Sequence, residues 1–257
     1  MLSSSLGRAA RRHGPPAVLL VLGVVAWQAV ASIPAVDDLT LASPVEVMHA
    51  LHDDGRLLLD NTWTTLVEVL LGLAIAVGGG VVAAVAMHLV RPLREAAYPL
   101  LVASQAIPIV VLAPLFVLAF DYGIGPKLAI VALICFFPVT VNLLDGLRSV
   151  DPELMKLMRS MGSSRIGALR RVELPAALPY LFSGLRVAAS VSVVGAVFGE
   201  WAGADKGLGR LVLLGNNQLQ TPRVYAGVVI LTMMAVALFA LVCAAERAAL
   251  PWRGETA

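Results

Sequence analysis

Long apolar stretches alternate with short polar segments along most of the chain. A bilayer core of about 30 Å requires roughly 20 mostly apolar residues in a helix, and six stretches have this character, some of them only with tilt. They are Ala17–Ile33, Thr64–Val90, Glu95–Phe120, Lys127–Leu144, Pro175–Trp201 and Val224–Leu250. The pattern predicts an all-α, polytopic membrane protein with about six transmembrane helices.

The composition leads to the same class. Of the 257 residues, 59% are hydrophobic and 14% are charged, against about 45–50% and 25% in soluble proteins. A soluble domain of this length could not bury so much apolar surface, so the excess faces membrane lipid. The same figures exclude intrinsic disorder and a small disulfide scaffold. The formal net charge of +2 argues against a nucleic-acid partner, and both cysteines lie in apolar runs, which favours a packing role.

The first apolar stretch follows three arginines, so a cleaved signal peptide is an alternative interpretation. The stretch contains Trp27 and Gln28, however, and its small-residue site at Ala29–Ala31 would lie inside the span. We therefore interpret it as an uncleaved first helix.

The distribution of Lys and Arg predicts the orientation, because cytoplasmic segments carry an excess of both. With a cytoplasmic N-terminus, the inner segments hold thirteen of these residues and the outer segments five, while Arg186 lies inside the fifth span. The prediction is a multi-pass protein of the cell membrane with both termini in the cytoplasm. Its predicted parts are a tail over 1–16, one transmembrane domain over 17–250, with an external loop over 34–63 and a cytoplasmic loop over 145–174, and a tail over 251–257.

The external loop contains His49 and His52 beside Asp53 and Asp54. A Ser-Pro pair at Ser43 predicts that a short helix begins here, with the two histidines three residues apart. Such a group could ligate a metal, but a solvated polar face of the helix is the simpler interpretation. The sequence therefore predicts no metal site.

Prolines and polar side chains interrupt the later spans. Pro108 and Pro114 in the third span and Pro138 in the fourth each remove a helical hydrogen bond. In lipid, the freed carbonyls need partners in protein or in a water-lined cavity, and polar groups at such depth indicate function by default. The residues predicted to line a substrate path are Gln105, Pro108, Asn142, Glu200 and Trp201. The alternative for Glu200 and Trp201 is that they mark the outer membrane interface.

The segment between the fourth and fifth spans has the most distinctive pattern. Asp151-Pro152-Glu153 is typical of a helix start, and four apolar residues at i, i+3, i+4 and i+7 from Leu154 then form one stripe. Gly162 ends this helix, and a serine caps a second, basic one. A helix packed under the bundle would not require so much exposed basic character, whereas an element that docks a cytoplasmic partner explains both faces. The predicted docking and coupling residues are Asp151, Glu153, Leu154, Lys156, Leu157, Met158, Met161, Gly162, Ser163 and Arg165.

This loop resembles the EAA loop of bacterial ABC importer permeases, whose pattern is EAA-x3-G-x9-I-x-L-P. Here nine residues separate Gly162 from Val172-Glu173-Leu174-Pro175. Lys156-Leu157-Met158 stands in place of Glu-Ala-Ala, and Val172 in place of Ile, while the glycine and the Leu-Pro ending are kept. In that family the loop forms coupling helices that sit in a cleft of the ATPase subunit. The resemblance therefore implies ATPase docking around Lys156 to Arg165.

Other motifs, spread over nearly the whole chain, are similar to the nitrate/sulfonate/taurine branch of these permeases. They include Ala42-Ser43-Pro44-Val45-Glu46-Val47, Leu112-Ala113-Pro114-Leu115, Phe137-Pro138, Gly184-Leu185-Arg186 and Gly207-Leu208-Gly209. One subgroup, the permeases for hydroxymethylpyrimidine-type thiamine precursors, resembles the chain more closely. The motifs shared with it are Ser104-Gln105-Ala106-Ile107-Pro108, Leu144-Asp145-Gly146-Leu147-Arg148 and Gly199-Glu200-Trp201.

The resemblance implies the type I ABC importer permease fold, with cytoplasmic coupling helices between spans four and five. It implies a transport subunit and not an enzyme, in which two copies form the translocation path. An extracytoplasmic solute-binding protein would deliver the substrate, and a cytoplasmic ABC ATPase would supply the energy. The chain contains no G-x-x-x-x-G-K-[ST] motif, so we expect no cofactor on this chain and ATP-Mg on the ATPase. Membrane lipid is the remaining expected partner.

The expected substrate is a pyrimidine thiamine precursor, because Gln105, Glu200 and Trp201 offer hydrogen bonds and an aromatic face. Sulfonate, taurine or nitrate is the alternative. These anions require positive charge, and the position of Arg186 is better suited to a salt bridge or to the inner gate. A membrane enzyme would need a catalytic constellation that the four scattered histidines do not form. An ion-coupled secondary carrier would need a charge relay or inverted repeats, and Glu68 and Arg186 alone do not make a relay.

Overall fold

The computed structural model describes residues 18–33 and 40–251, and every regular element within these ranges is helical. The predicted tail over 1–16, part of the external loop over 34–63 and nearly all of the tail over 251–257 lie outside the described residues. The described chain divides into two compact units. One comprises the residues up to Leu59 together with Leu211–Val229, and the other comprises Asp60–Arg210 together with the residues from Ile230 onward.

The first unit contains the apolar helix α1 (Val18–Ala31) and the short helix α2 (Pro44–Asp53). At 1.5 Å per residue, the described part of α1 is about 21 Å long, which is shorter than a bilayer core of about 30 Å. The predicted first span therefore appears as a shorter helix within the described residues. Helix α2 begins as predicted, since the Ser43 hydroxyl accepts a hydrogen bond from the Glu46 backbone N–H and the Glu46 carboxylate caps the Ser43 N–H in return.

Three side-chain contacts join different segments of this unit. The Trp27 Nε1–H donates to the carbonyl oxygen of Ala42 at 3.0 Å, and its ring stacks on Tyr225 with centroids 5.9 Å apart. Arg223 forms a bidentate ion pair with Asp54, with N···O distances of 2.6 and 2.9 Å.

Four helices of the described chain are long and apolar enough to cross a membrane. They are α3 (Gly55–Leu89), α6 (Ile124–Arg148), the helical segment Arg165–Gly203 and α11 (Thr221–Ala249). They coincide with the second, fourth, fifth and sixth predicted spans. The total of six stays a prediction, because residues 18–33 and 40–251 contain four such helices, or five if the bent pair described next counts as one.

The predicted third span is not one continuous helix. It consists of α4 (Arg91–Ser104) and α5 (Ile109–Phe120), whose axes are bent by 105°. Pro108 stands at the N-cap of α5; it has no N–H to donate, and it disfavours helical backbone at the preceding residue. Pro114 lies inside α5, and Pro138 lies inside an unbroken α6. The expectation that the fourth span is interrupted like the third is therefore wrong.

Glycines let α3, α6 and α9 (Leu174–Gly203) approach closely in the second unit. A Cβ atom on Gly72 of α3 would lie 2.5 Å from the Cβ of Val131 in α6, and one on Gly184 of α9 would lie 2.5 Å from the carbonyl oxygen of Pro138. Near the other end of α9, a Cβ on Gly199 would lie 3.0 Å from the Cα of Lys127. The backbones of these three helices are therefore in direct contact at glycine positions.

The interspan segment, residues 149–173, connects α6 to α9. It comprises α7 (Pro152–Ser160), the single turn α8 (Arg165–Ala168) and a π-helical turn, Leu169–Glu173. The predicted cap is confirmed, because the Asp151 carboxylate accepts from the Glu153 N–H at 2.8 Å. Gly162 has φ = +78°, a conformation that favours glycine. The fifth span was predicted to begin at Pro175, but helical structure runs without a gap from Arg165. A π-helical turn over Leu169–Glu173 precedes Pro175, where the hydrogen-bond pattern of the helix changes.

Candidate functional site

The interspan segment presents an apolar surface that no other part of the described chain covers. Leu157 is 55% exposed, Met161 74% and Ile166 58%. Leu154 shares this surface, while Met158 is half-buried and turns toward the rest of the chain. The sequence analysis predicts that this segment docks a partner, and the exposed apolar side chains are compatible with that prediction.

Most of the polar residues predicted to dock a partner form hydrogen bonds or ion pairs within the interspan segment itself. Asp151 caps α7, and Glu153 pairs with Lys156 at 2.8 Å on an exposed face. The Ser163 hydroxyl lies 3.4 Å from the carbonyl oxygen of Ser164. Arg165 reaches out of the segment, since its Nη2 donates to the carbonyl oxygen of His88 at 3.3 Å.

The bend between α4 and α5 places Gln105 and Pro108 at a break in the helical backbone. Gln105 is exposed, and its amide lies 3.4 Å from the Ser104 hydroxyl, which itself donates to the carbonyl oxygen of Leu101 at 2.7 Å. The Gln105 side chain therefore keeps most of its hydrogen-bonding capacity for another molecule.

Trp201 lies at an apolar cavity of about 140 Å³ between α5 and α9. The cavity is lined by Val110, Ala113, Pro114, Phe198, Trp201 and Ala202. The Trp201 ring meets Phe198 edge to face, with centroids 5.5 Å apart, and its Nε1–H donates to the carbonyl oxygen of Gly209 at 2.9 Å. With its N–H already bonded, Trp201 offers an aromatic face to the cavity.

Glu200 lies in a buried hydrogen-bond cluster and not on a cavity. Its side chain is fully buried, with one carboxylate oxygen 2.6 Å from the donating Thr65 hydroxyl and the other 3.1 Å from the donating N–H of Arg210. The Thr65 oxygen in turn accepts from the Leu208 N–H at 2.8 Å. Glu200 and Thr65 thus cap the N-terminus of α10 (Leu208–Asn217).

Asn142 and Arg186 are also engaged within the chain. The Asn142 amide donates to the carbonyl oxygen of Pro138 in its own helix at 2.7 Å. Arg186 of α9 pairs with Glu246 of α11 at 2.5 Å and donates to the Ser183 hydroxyl at 3.0 Å. The salt bridge expected for Arg186 is therefore confirmed.

A buried ion pair between Lys127 and Glu68 was missed by the sequence analysis. The Lys127 Nζ lies 2.6 Å from Glu68 Oε1, and both side chains are at least nine-tenths buried. Lys127 is one of the five basic residues that the sequence analysis assigns to the outer segments, and the structure shows it buried against Glu68 of α3. The sequence does contain a sign of this pair, because one of two neighbouring apolar helices has an acidic residue and the other a basic residue, and such groups usually pair inside a membrane. His49 and His52 belong to no three-residue group that could hold a metal ion, among the described residues.

The family of this chain follows from a comparison with family models. Residues 58–250 match the model described as binding-protein-dependent transport system inner membrane component. The chain belongs to this family. It is therefore the membrane-spanning permease subunit of an ABC importer and not an enzyme, and its family implies an ATPase and a substrate-binding protein as partners.

The permease is similar to several curated proteins over nearly its whole length. It is 38% identical to a probable ABC transporter permease of Haemophilus influenzae, over 86% of this chain and 91% of the relative. It is 36% identical to the formylaminopyrimidine transport permease ThiX of Halalkalibacterium halodurans, over 93% and 95%. It is 33% identical to the riboflavin transport permease RibX of Chloroflexus aurantiacus, over 94% and 91%. The taurine transport permease TauC of Escherichia coli is 31% identical, over 94% and 89%.

Solved structures confirm the fold of the permease. A crystal structure of an amino acid ABC transporter with histidines superposes with a TM-score of 0.60 at 19% identity, covering 77% of this chain and 96% of that one. The predicted fold class, an all-α permease of the inner membrane, is therefore confirmed.

Proposed function

We propose that the interspan segment docks on the ATPase of the importer and that both chain termini lie on that same, cytoplasmic side of the membrane. The observation that carries this proposal is the exposed apolar surface of Leu157, Met161 and Ile166. Arg159 and Arg170 are exposed in the same segment, so the apolar surface has a basic surround that can orient it on a partner.

In this proposal, ATP-Mg binds to the ATPase, and the permease holds no cofactor of its own. Closure of the ATPases draws the interspan segments of two permease copies together. Because helical structure is continuous from Arg165 to Gly203, the displacement is passed along α9. The third and fourth spans were both expected to be interrupted, but only the third is broken, at the bend near Pro108. This bend offers a flexible site for opening and closing the substrate path.

Docking is tested by co-purification with the tagged ATPase in detergent. Leu157→Asp places a charge in the apolar surface, and Gly162→Trp changes the turn between α7 and α8. Both variants are expected to retain less than about a tenth of the wild-type ATPase, the scale of a central interface contact. Val45→Asp is the matched control, because Val45 is equally exposed at 56% but lies in α2. Wild-type retention by Leu157→Asp would refute docking.

We propose that two copies of the permease form the path, each contributing the bend at Gln105 and Pro108 and the cavity at Trp201. Leu118 of α5 is 81% exposed and Trp201 is 42% exposed in the single chain, which supports a second copy or lipid against this side. Light scattering of the purified complex is expected to give two permease copies. A single copy per complex would contradict the pairing.

The proposed substrate is a pyrimidine precursor of thiamine. The relative named for formylaminopyrimidine transport, at 36% identity, is the main support. The cavity at Trp201 is apolar and aromatic, which suits one face of a flat heterocycle, and Gln105 has hydrogen-bonding capacity to spare. Lys127 and Arg186 each face a carboxylate, so neither leaves free positive charge for the alternative substrates, sulfonate, taurine or nitrate.

Uptake into proteoliposomes tests the substrate. Liposomes that contain the permease, its ATPase and its binding protein are supplied with labelled formylaminopyrimidine, hydroxymethylpyrimidine, riboflavin or taurine. ATP-dependent uptake of a pyrimidine is expected. Trp201→Ala should lower it severalfold, and Trp201→Phe, which keeps an aromatic face, should lower it less. Uptake of taurine alone would favour the alternative, and uptake driven by an ion gradient without ATP would favour a secondary carrier.

A further inference from the structure

The C-terminal end of α3 is tied to the interspan segment by two polar contacts. The His88 Nε2 lies 3.0 Å from the Glu173 carboxylate, and only 13% and 11% of the two side chains are exposed. The second contact is the Arg165 guanidinium, whose Nη2 donates to the carbonyl oxygen of His88 at 3.3 Å. One residue of α3 therefore contacts both ends of the stretch that runs from Arg165 to Glu173.

Glu173 occupies a special place in this stretch. It is the last residue of the π-helical turn Leu169–Glu173, which is closed by the Leu174 N–H donating to the carbonyl oxygen of Leu169. Turns of this kind are rare and are often found where a helix is adapted to a function. This turn forms the junction between the interspan segment and α9, so any displacement of the segment must pass through it.

The junction is also embedded in the core of the second unit. Leu169 packs in one buried cluster with Met87 of α3, Leu144 and Leu147 of α6 and Ala177 of α9. Because such a core is close-packed, it transmits displacement and does not absorb it. The His88–Glu173 contact adds a directional, charged hydrogen bond to this packing.

We propose that His88 is a positioning residue that links α3 to the interspan segment, so that closure of the ATPase moves α3 together with α9. This inference rests on the docking proposed above. Docking brings the ATPase to the exposed side of the segment, and the His88–Glu173 contact lies on its buried side. The ATPase would thus act on two spans, through one continuous helix and through the contact between His88 and Glu173.

The test is the number of substrate molecules taken up per ATP hydrolysed, measured in proteoliposomes with the full complex. His88→Ala is expected to retain the ATPase at the wild-type level and to lower uptake per ATP about fivefold or more. His88→Gln is expected to restore most of it, because a carboxamide N–H can donate to Glu173 from nearly the same position. Arg91→Ala is the matched control, since it removes an exposed ion pair with Glu95 at the start of α4.

The experiments distinguish failure of the proposed role of His88 from failure of the proposed ATPase docking. Wild-type uptake per ATP in His88→Ala would overturn the role of His88, and so would a His88→Gln variant as defective as His88→Ala, because the contact would then be packing alone. If His88→Ala does not assemble, Glu173→Met is used; it keeps a side chain of similar length and removes the acceptor oxygens, and unchanged uptake per ATP in it would again overturn the inference. Failure of docking itself appears separately, as ATPase retention by Leu157→Asp.

Discussion

A carboxylate deep in an apolar helix is stabilised either by water in a cavity or by donors that the protein supplies. Glu200 has the second kind of surroundings, with the Thr65 hydroxyl and the backbone N–H of Arg210 on its two oxygens. The sequence marks Glu200 as exceptional but leaves its partners unknown, because Thr65 lies 135 residues away. Glu200 therefore acts at the residue scale as a cap that holds the start of α10.

Gly207 tests this cap. It has φ = +128°, and a Cβ atom there would collide with the Glu200 carboxylate. Gly207→Ala is expected to destabilise the permease by about 1–3 kcal/mol from backbone strain alone, seen as a lower Tm in detergent. Gly78→Ala is the control, because Gly78 lies in α3 with open space around it, and alanine favours a helix over glycine. An unchanged Tm for Gly207→Ala would mean that the turn adapts.

At the scale of the helices, close contacts determine how α3, α6 and α9 pack. Glycines bring α3 and α9 against α6, and the Lys127–Glu68 ion pair joins α3 to α6 inside this contact. The recurrence of small residues at Gly72, Ala76, Gly80 and Ala84 predicts close approach of another helix, and the structure places α6 against Gly72 and Gly80. The sequence did not predict the ion pair, because hydropathy treats each charge singly and cannot show that two charges face each other.

Lys127→Met is expected to destabilise the permease strongly, by about 3–5 kcal/mol, because it leaves the Glu68 carboxylate buried without its partner. The double variant Lys127→Met with Glu68→Met should recover most of the loss, since replacing a buried pair by apolar residues is often neutral. Thermal denaturation in detergent measures both. A double variant as unstable as the single one would show that the Glu68 carboxylate has a further role.

At the scale of the whole molecule, the family shows a permease, and the distribution of basic residues predicts its orientation. The family match covers residues 58–250, while the orientation rests on the Lys and Arg count and on the exposed apolar surface of the interspan segment. The two lines of argument are independent, because one concerns charge and the other concerns unpartnered apolar side chains.

Cysteine labelling of intact cells tests the orientation. Asp53 in α2 and Ser160 in α7 are both exposed, and each is replaced by Cys in a background without Cys135 and Cys243. A membrane-impermeant maleimide is expected to label Asp53→Cys in intact cells and Ser160→Cys only after permeabilisation. Labelling of Ser160→Cys in intact cells would place the interspan segment outside and would refute the orientation.

Local interactions explain what the sequence determined by itself. Apolar length fixes the helical membrane class, Ser43 and Asp151 fix helix starts, and Gly162 fixes a turn, because each effect acts within a few residues of the chain. The same holds for the apolar stripe of α7, because its period alone places these residues on one face of the helix.

Only the tertiary structure decided which polar residues meet and which proline breaks a helix. Pro108 stands at the N-cap of α5, after a break in the helical backbone, whereas Pro114 and Pro138 lie within helices, although all three are equally poor helix formers in isolation. Glu200 contacts Thr65, which is 135 residues away in the sequence, and Lys127 contacts Glu68, which is 59 residues away. His88 and Glu173 are also far apart in the sequence and in contact in the structure. Such pairings depend on how helices pack against each other, since a buried charge is stable only where the fold brings a partner to it.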